Sequence, residues 1–244
     1  MIEVQDLVRH FGDVKAVDGV SFSAPNGSIT GLLGPNGAGK TTTLRMLYSL
    51  LKPAHGSIRI DGHDPVQDPQ SVRRAIGVLP DSRGLYKRLS TRENIEYFGR
   101  LQGLDEDTLR ANADDIINKL DLHDIEHRRT EGFSQGQRVK VAIARAMVHQ
   151  PQNVLLDEPT NGLDVMSTRA MREFCRELKR SGRCVLFSSH IMQEVAALCD
   201  HIVVIAHGKV TAEGTKEELM ERTGQSTLED AFVAAIGSEE GLMA

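Results

Sequence analysis

Apolar positions follow two different periods along the chain. Residues 1–33 alternate apolar and polar side chains in short segments separated by glycine-containing turns, and they end in an apolar stretch over 28–33. This alternation is typical of β-strands. Beyond a glycine-rich segment, Leu44, Leu47 and Leu51 recur at helical spacing. The pattern therefore predicts a strand, a loop and a helix in that order.

The middle of the chain and its last third have different patterns. Between about 90 and 148 the pattern is helical, and it begins with the capping-box spacing of Ser90 and Glu93. One apolar face there consists of Leu109, Ala113, Ile116, Ile117 and Leu120. From about 153 onwards, apolar strands alternate with helical segments. We expect strands over 154–156, 184–187 and 202–205, and helices over 165–180 and 191–199.

Alternating strands and helices indicate a mostly parallel sheet that helices cover on both faces. The tail opens with a second capping-box pair, Thr215 and Glu218, and a weak helical pattern follows around 228–236. Because no repeat or long linker divides the chain, we predict one α/β domain. It combines the parallel sheet with an N-terminal antiparallel β segment and an inserted α-helical subdomain.

Composition narrows the possible functions. The chain has 244 residues, of which 40% are hydrophobic, as in ordinary globular proteins. A net charge of −5 disfavours general binding to nucleic-acid backbone, so no nucleic-acid partner is expected. No apolar run approaches the roughly 18 to 20 residues of a membrane helix. The three cysteines are scattered, which favours a reducing compartment. We therefore expect a cytoplasmic protein without a membrane span.

Residues 34–41 match the pattern G-x-x-x-x-G-K-[ST]. In this loop, backbone N–H groups wrap a polyphosphate at a helix N-terminus, Lys40 reaches the β and γ groups, and the Thr41 hydroxyl binds Mg²⁺. A glycine-rich turn that only caps a helix is the alternative, and the strand before the loop disfavours it. We predict a P-loop NTPase core. The residues expected to bind the nucleotide here are Gly34, Pro35, Asn36, Gly37, Ala38, Gly39, Lys40, Thr41 and Thr42.

Two carboxylates follow the apolar strand at 154–156. Asp157 is in the position to hold the metal's water shell, as a nucleoside triphosphatase requires. Glu158 is expected to polarise the attacking water as a general base, a contribution of roughly 10²- to 10⁴-fold in rate. The alternative interpretation is that these two acidic residues only belong to an ordinary turn before Pro159. The nearby phosphate-loop motif argues against this alternative.

Three further segments, 133–137 (Phe-Ser-Gln-Gly-Gln), 161–164 (Asn-Gly-Leu-Asp) and 188–190 (Ser-Ser-His), occur in the order and spacing of a known family. Together with the phosphate loop and the acidic pair, they resemble the ABC ATPase family over nearly the whole chain. The resemblance implies a core over 1–88 and 150–215, a helical signature subdomain over 89–149 and a helical tail over 216–244.

The resemblance also implies a composite site. In this family two subunits face each other head to tail and sandwich two ATP molecules, so the phosphate loop of one subunit meets the signature of the other. The signature residues implied at the γ-phosphate are Ser134, Gly136 and Gln137. His190 resembles the family's switch histidine, and Asp164 resembles its dimer-interface aspartate. Phe11 is in the position of an aromatic residue that stacks on adenine; a buried core Phe is the alternative.

Two features depart from the family pattern. Phe133 and Gln135 replace the usual Leu and Gly of the signature. Asp81 stands where the family usually has Gln, and Asp is about 1.5 Å shorter and negatively charged. Asp81 is therefore expected either to contact Mg²⁺ directly or to act through a bridging water. Our hypothesis is that it still couples the ATP site to the membrane partner.

The function implied is that of an ATP-binding and hydrolysing subunit of an ABC transporter, with Glu158, His190 and Lys40 as catalytic residues and ATP and Mg²⁺ as cofactors. The subunit would form a homodimer or pseudo-dimer on the cytoplasmic face of the membrane, bound to a separate permease subunit. The region around Asp81, the signature and the segment 226–232 resemble exporter ATPases, including those that extrude sodium or drugs. The rivals are a mechanical ATPase acting on DNA or the ribosome, and a module that binds ATP without turnover.

Overall fold

A computed structural model describes residues 1–82 and 84–237 of the chain. The strands are β1 (Ile2–Phe11), β2 (Val14–Ala24), β3 (Ser28–Leu33), β4 (His55–Ile60), β5 (Ile76–Leu79), β6 (Asn153–Asp157), β7 (Cys184–Ser189), β8 (His201–Ala206) and β9 (Lys209–Gly214). The helices are α1 (Lys40–Leu47), α2 (Pro69–Ala75), α3 (Thr91–Leu101), α4 (Glu106–Lys119), α5 (Gln135–Met147), α6 (Val165–Arg180), α7 (Met192–Leu198), α8 (Lys216–Thr223) and α9 (Leu228–Ile236), with a short 3₁₀ helix over His123–Ile125.

Within these ranges the strands form two sheets, as the sequence predicts. A three-stranded antiparallel sheet has the order β2-β1-β4, and a six-stranded sheet has the order β5-β6-β7-β3-β8-β9. In the larger sheet only the β8–β9 pair is antiparallel. The carboxyl ends of β3, β6 and β7 therefore meet at one edge, where the phosphate loop, the acidic pair and the segment 188–190 emerge.

The larger sheet separates two apolar layers. Leu155 and Leu186 pack with the antiparallel sheet and α1, whereas Leu156 and Phe187 pack with the helices on the other face. Alternate residues of β6 and β7 thus enter opposite layers, which explains why these parallel strands are apolar throughout. Phe133 is buried in the second layer, so the signature's departure from Leu is absorbed by the core.

Several helices and strands differ from those that the sequence pattern predicts. α1 ends at Leu47, and Ser49 has a left-handed φ of 62°, so Leu51 is not part of the helix. β4, α2, β5 and β9 were not predicted, and β5 ends two residues before Asp81. The predicted subdomain boundaries remain a prediction, and residues 238–244 of the predicted tail lie outside the described ranges.

Candidate active site

The phosphate loop connects the end of β3 to the start of α1. Gly39 has a φ of 107° immediately before the helix, a backbone region that strains any residue with a Cβ. A Cβ at Gly34 would lie 2.2 Å from the carbonyl oxygen of Ile205. Both glycines are therefore required by the path of the chain, and the first N–H groups of α1 are left available for an anion.

Lys40 is the first residue of α1 and is only 5% exposed. Its Nζ donates to the Gly34 carbonyl oxygen at 2.7 Å and to that of Pro35 at 3.2 Å. The same Nζ lies 3.4 Å from Glu158 Oε1. The ammonium group is thus held against the loop by backbone carbonyls, beside the proposed base.

Asp157 ends β6 and is almost fully buried. Its Oδ1 accepts hydrogen bonds from Ser188 Oγ at 2.6 Å and Thr41 Oγ1 at 3.3 Å. Its Oδ2 is buried and, within the described residues, has no hydrogen-bond partner. Burial raises the pKa of this carboxyl, and the nearby carboxylates of Glu158 and Asp81 act in the same direction. A buried oxygen without a donor, beside a hydroxyl, is a suitable ligand set for a hard cation.

Glu158 and His190 form a pair at the ends of neighbouring strands. His190 Nδ1 lies 2.8 Å from Glu158 Oε2. Glu158 has a left-handed φ of 47°, which is uncommon outside glycine, and its N–H donates to Ser188 Oγ at 3.1 Å. The chain turns here at the end of β6, and the carboxylate lies between Lys40 and His190.

Lys40, Thr41, Glu158 and His190 meet in one groove of about 690 Å³, whereas Asp157 lines a second groove. The first groove is lined by Val14, Lys15, Ala16, Asn36, Gly37, Ala38, Gly39, Lys40, Thr41, Thr42, Asp81, Glu158, Asn161, His190 and His207. Asp81 also lines the second groove of about 450 Å³, which includes Tyr48, Arg73 and Arg145. Asp81 therefore lies where the two grooves adjoin.

The signature segment lies elsewhere on the chain. Among the described residues, none of 133–137 lines the 690 Å³ groove. Ser134 caps α5: its Oγ accepts from Gln137 N–H at 3.2 Å, and Gln137 Oε1 accepts from Ser134 N–H at 3.0 Å. A Cβ at Gly136 would lie 2.8 Å from Ser167 Oγ. Asp164 caps α6, and the Ser167 N–H lowers the pKa of its carboxyl.

Comparison with known proteins places the chain in a family. The family model described as "ABC transporter" matches residues 17–161. The chain belongs to the ABC transporter ATP-binding family. It is 46% identical over 241 residues to the ABC transporter ATP-binding protein NatA of Bacillus subtilis (strain 168), covering 97% of this chain and 98% of that protein.

Other ABC transporter proteins are similar over most of the chain. The daunorubicin/doxorubicin resistance ATP-binding protein DrrA of Streptomyces peucetius is 40% identical over 227 residues, covering 93% of this chain and 69% of DrrA. A solved ATP-binding subunit of an ABC transporter matches with a TM-score of 0.89 and 29% identity, covering 96% of this chain and 99% of that one.

The α/β fold and the function as an ABC transporter ATP-binding subunit, predicted from the sequence, are therefore confirmed. Family membership implies ATP binding and hydrolysis. Within residues 1–82 and 84–237, no helix has the length and apolar character needed to cross a membrane.

Three further residues, Phe11, Thr160 and Glu194, have surroundings that the sequence motifs alone do not reveal. Phe11 is 45% exposed, so its reading as a core residue is wrong, and Arg9 lies over its ring at 5.0 Å from the centroid. Phe11 is not among the lining residues of the groove given above, and adenine stacking remains a prediction. Sequence reasoning missed Thr160 and Glu194; a single charged residue among the apolar positions of α7 was the available signal for Glu194.

Proposed function

We propose that this subunit hydrolyses MgATP to ADP and phosphate at a site shared by two ATP-binding subunits, and that it powers export through a separate membrane subunit. The observation that carries the proposal is the position of the Glu158 carboxylate. It faces the phosphate groove between Lys40 Nζ, at 3.4 Å, and His190 Nδ1, at 2.8 Å.

The residues of the groove suit an in-line attack of water on the γ-phosphate. The loop amides and Lys40 bind the phosphates and offset their charge. The water oxygen forms a bond to phosphorus, the bond to the ADP oxygen breaks, and Glu158 accepts the water's proton. His190 orients the Glu158 carboxylate through the 2.8 Å contact, and both residues line the groove.

Mg²⁺ fits the oxygen ligands beside the loop. Thr41, Asp157 and Asp81 are the residues that would hold it, directly or through water. All three line the second groove, and the Oδ2 of Asp157, which has no partner among the described residues, supports the assignment. The ion would neutralise charge that develops on the phosphate oxygens. Asp157 is held in place for this role by Ser188 and Thr41.

A second subunit completes the site in this proposal. Ser134, Gly136 and Gln137 lie at the N-terminus of the 13-residue helix α5, which favours an anion, yet they do not line the groove of their own chain. Next to them, Val165 and Met166 at the start of α6 are 83% and 70% exposed. Exposed apolar residues beside an anion site support contact with a partner subunit there.

The membrane subunit and the cargo are inferred from relatives and surface features. The similarity to a daunorubicin/doxorubicin resistance protein, and the resemblance to sodium-extruding ATPases, support export of a drug or of sodium ions. Exposed Leu50, which lines the second groove, Tyr86, which lies before α3, and Tyr97 in α3 offer apolar surface to a permease. A subunit bound to such a permease would lie on the cytoplasmic face of the membrane.

Replacement of Glu158 by Gln tests the proposal. The side chain keeps its size but loses its proton-accepting charge, so we expect ATPase activity to fall by roughly 10²- to 10⁴-fold. ATP should then accumulate in a stable dimer, measured by light scattering. Glu217→Gln, on the exposed surface of α8, is the matched control and should retain activity. Equal turnover by Glu158→Gln and the wild type would show that the base is misassigned, and no turnover by the wild type would indicate a module that only binds ATP.

A further inference from the structure

A buried carboxylate outside the nucleotide groove connects the two loops that carry Glu158 and His190. Glu194 lies in the first turn of α7 and is 6% exposed. Its Oε2 accepts a hydrogen bond from Thr160 Oγ1 and a second one from Ser189 Oγ at 3.2 Å. Thr160 follows Glu158 by two residues, and Ser189 directly precedes His190.

The connection extends to the backbone around the site. The Ile191 N–H donates to Ser189 Oγ at 2.9 Å, and the Gly34 N–H donates to the Ser189 carbonyl oxygen at 3.4 Å. Glu194 itself is not one of the lining residues of the groove. Glu194 therefore acts on Glu158 and His190 only through the loops that carry those two residues.

Stability alone does not account for a carboxylate at this position. Within the described part of the chain, Glu194 forms no ion pair with a lysine, arginine or histidine, and its Oε2 accepts hydrogen bonds from two neutral hydroxyl groups. Burying a charge without a counter-ion is unfavourable, whereas an apolar side chain of similar volume would pack at no such cost.

The backbone at Glu158 provides a reason for such a connection. Its left-handed φ of 47° is a conformation that persists only when surrounding contacts enforce it. Ser188 supplies one contact at the end of the strand, through the Glu158 N–H. The hydrogen bond between Thr160 and Glu194 supplies a second one two residues further along. Together the two contacts fix the segment on both sides of Pro159.

We propose that Glu194 is a positioning residue for ATP hydrolysis: its carboxylate joins Thr160 to Ser189 and so sets the distance between Glu158 and His190. The inference rests on the proposed function, because it assumes that Glu158 is the base. Misplacing a catalytic group by about 1 Å costs up to roughly 10²-fold in rate. Loss of the carboxylate should therefore lower kcat and leave ATP affinity almost unchanged, since the phosphate loop is intact.

The test compares Glu194→Ala, Glu194→Gln, Thr160→Val and Ser189→Ala with Gln193→Ala, an exposed neighbour on the same helix turn. We expect Glu194→Ala to reduce kcat by about 10- to 100-fold, with the Kd of a fluorescent ATP analogue in EDTA changed less than about twofold. Glu194→Gln should recover most of kcat, because its amide oxygen still accepts both hydroxyl hydrogen bonds. As a single variant, Thr160→Val should also lower kcat. Combined with Glu194→Ala, it should cause no further loss of kcat.

The wild type and Glu158→Gln are measured in the same assay. Wild-type kcat in Glu194→Ala or Thr160→Val would overturn the positioning role while the proposed function stands. Additive losses in the double variant, or parallel losses of kcat, affinity and melting temperature, would also overturn it. If Glu194→Ala does not fold, Thr160→Val and Ser189→Ala, which remove one hydroxyl each, decide the result. Full turnover by Glu158→Gln would overturn both proposals.

Discussion

At Asp157, folding stability and metal binding favour different side chains. Its carboxyl is buried, its Oδ2 has no partner among the described residues, and burial raises its pKa above the ordinary value of 3.8. An ionised group in this position is unfavourable in the empty protein and favourable once a cation compensates it. We therefore expect Asp157, which would hold Mg²⁺, to lower the free energy of unfolding of the nucleotide-free subunit.

Asp157→Asn should stabilise the subunit in the absence of nucleotide and metal. Because the folded state holds this proton more tightly than the unfolded state, the carboxyl's contribution to stability decreases as pH rises between 3.8 and the raised pKa. The advantage of the variant should therefore grow with pH over this interval and reach about 0.5 to 2 kcal/mol at pH 7. Urea unfolding in EDTA at several pH values measures it. A less stable variant at pH 7 would contradict the argument.

At the scale of the element, two helices begin with the same device but have different predicted roles. Ser90 and Glu93 form a capping box at α3, and Ser134 and Gln137 form one at α5. Each box satisfies backbone N–H groups that the helix leaves free. The α5 box lies in the signature, so its serine has a second expected ligand, the γ-phosphate of a partner's ATP.

Ser134→Ala and Ser90→Ala separate these two roles. Each should lower the free energy of unfolding by about 1 kcal/mol, because each removes one cap. Only Ser134→Ala should also weaken the ATP-dependent dimer, measured by analytical ultracentrifugation in the Glu158→Gln background. Equal dimer affinities in the two variants would mean that Ser134 is only a helix cap.

The elements that could be predicted are those whose signal is local. The phosphate loop lies within eight consecutive residues, and the capping boxes span four, so their spacing alone defines them. β4 and β9 have largely exposed side chains, and β5 has only four residues, so their patterns are too weak to detect. The Ser188 to Asp157 and Thr160 to Glu194 contacts join residues 31 and 34 positions apart. They depend on strand pairing between β6 and β7, which no local pattern contains.

At the scale of the whole molecule, an incomplete site and an apolar surface occur together. The start of α5 and the start of α6 are adjacent through Gly136 and Ser167, and both lie outside the chain's own groove. Val165 and Met166 project from this surface with most of their area exposed. We expect a second subunit to cover them when ATP is bound.

Val165→Glu tests this surface without weakening α6. A negative charge at a helix N-terminus favours the helix, so the melting temperature should not fall. Burying that charge in an interface is unfavourable, and the ATP-dependent dimer should weaken by at least about tenfold, or 1.4 kcal/mol. Leu101→Glu, an exposed apolar position at the end of α3, is the control and should dimerise normally. Unchanged dimer affinity in Val165→Glu would exclude this surface from the interface.

The position of Asp81 between the two grooves predicts a role in communication between ATP and the membrane subunit. One groove holds the phosphate loop, and the other is lined by Leu50, part of the apolar surface offered to a permease, so a change at Asp81 would alter the lining of both grooves. We expect Asp81→Ala to reduce the ratio of permease-stimulated to unstimulated ATPase activity toward one, measured in proteoliposomes. Asp81→Gln should retain stimulation because a longer amide reaches the same surroundings. Asp107→Ala, exposed on α4, controls for loss of a carboxylate. Undiminished stimulation in Asp81→Ala would rule out the coupling role and leave Asp81 as a metal ligand alone.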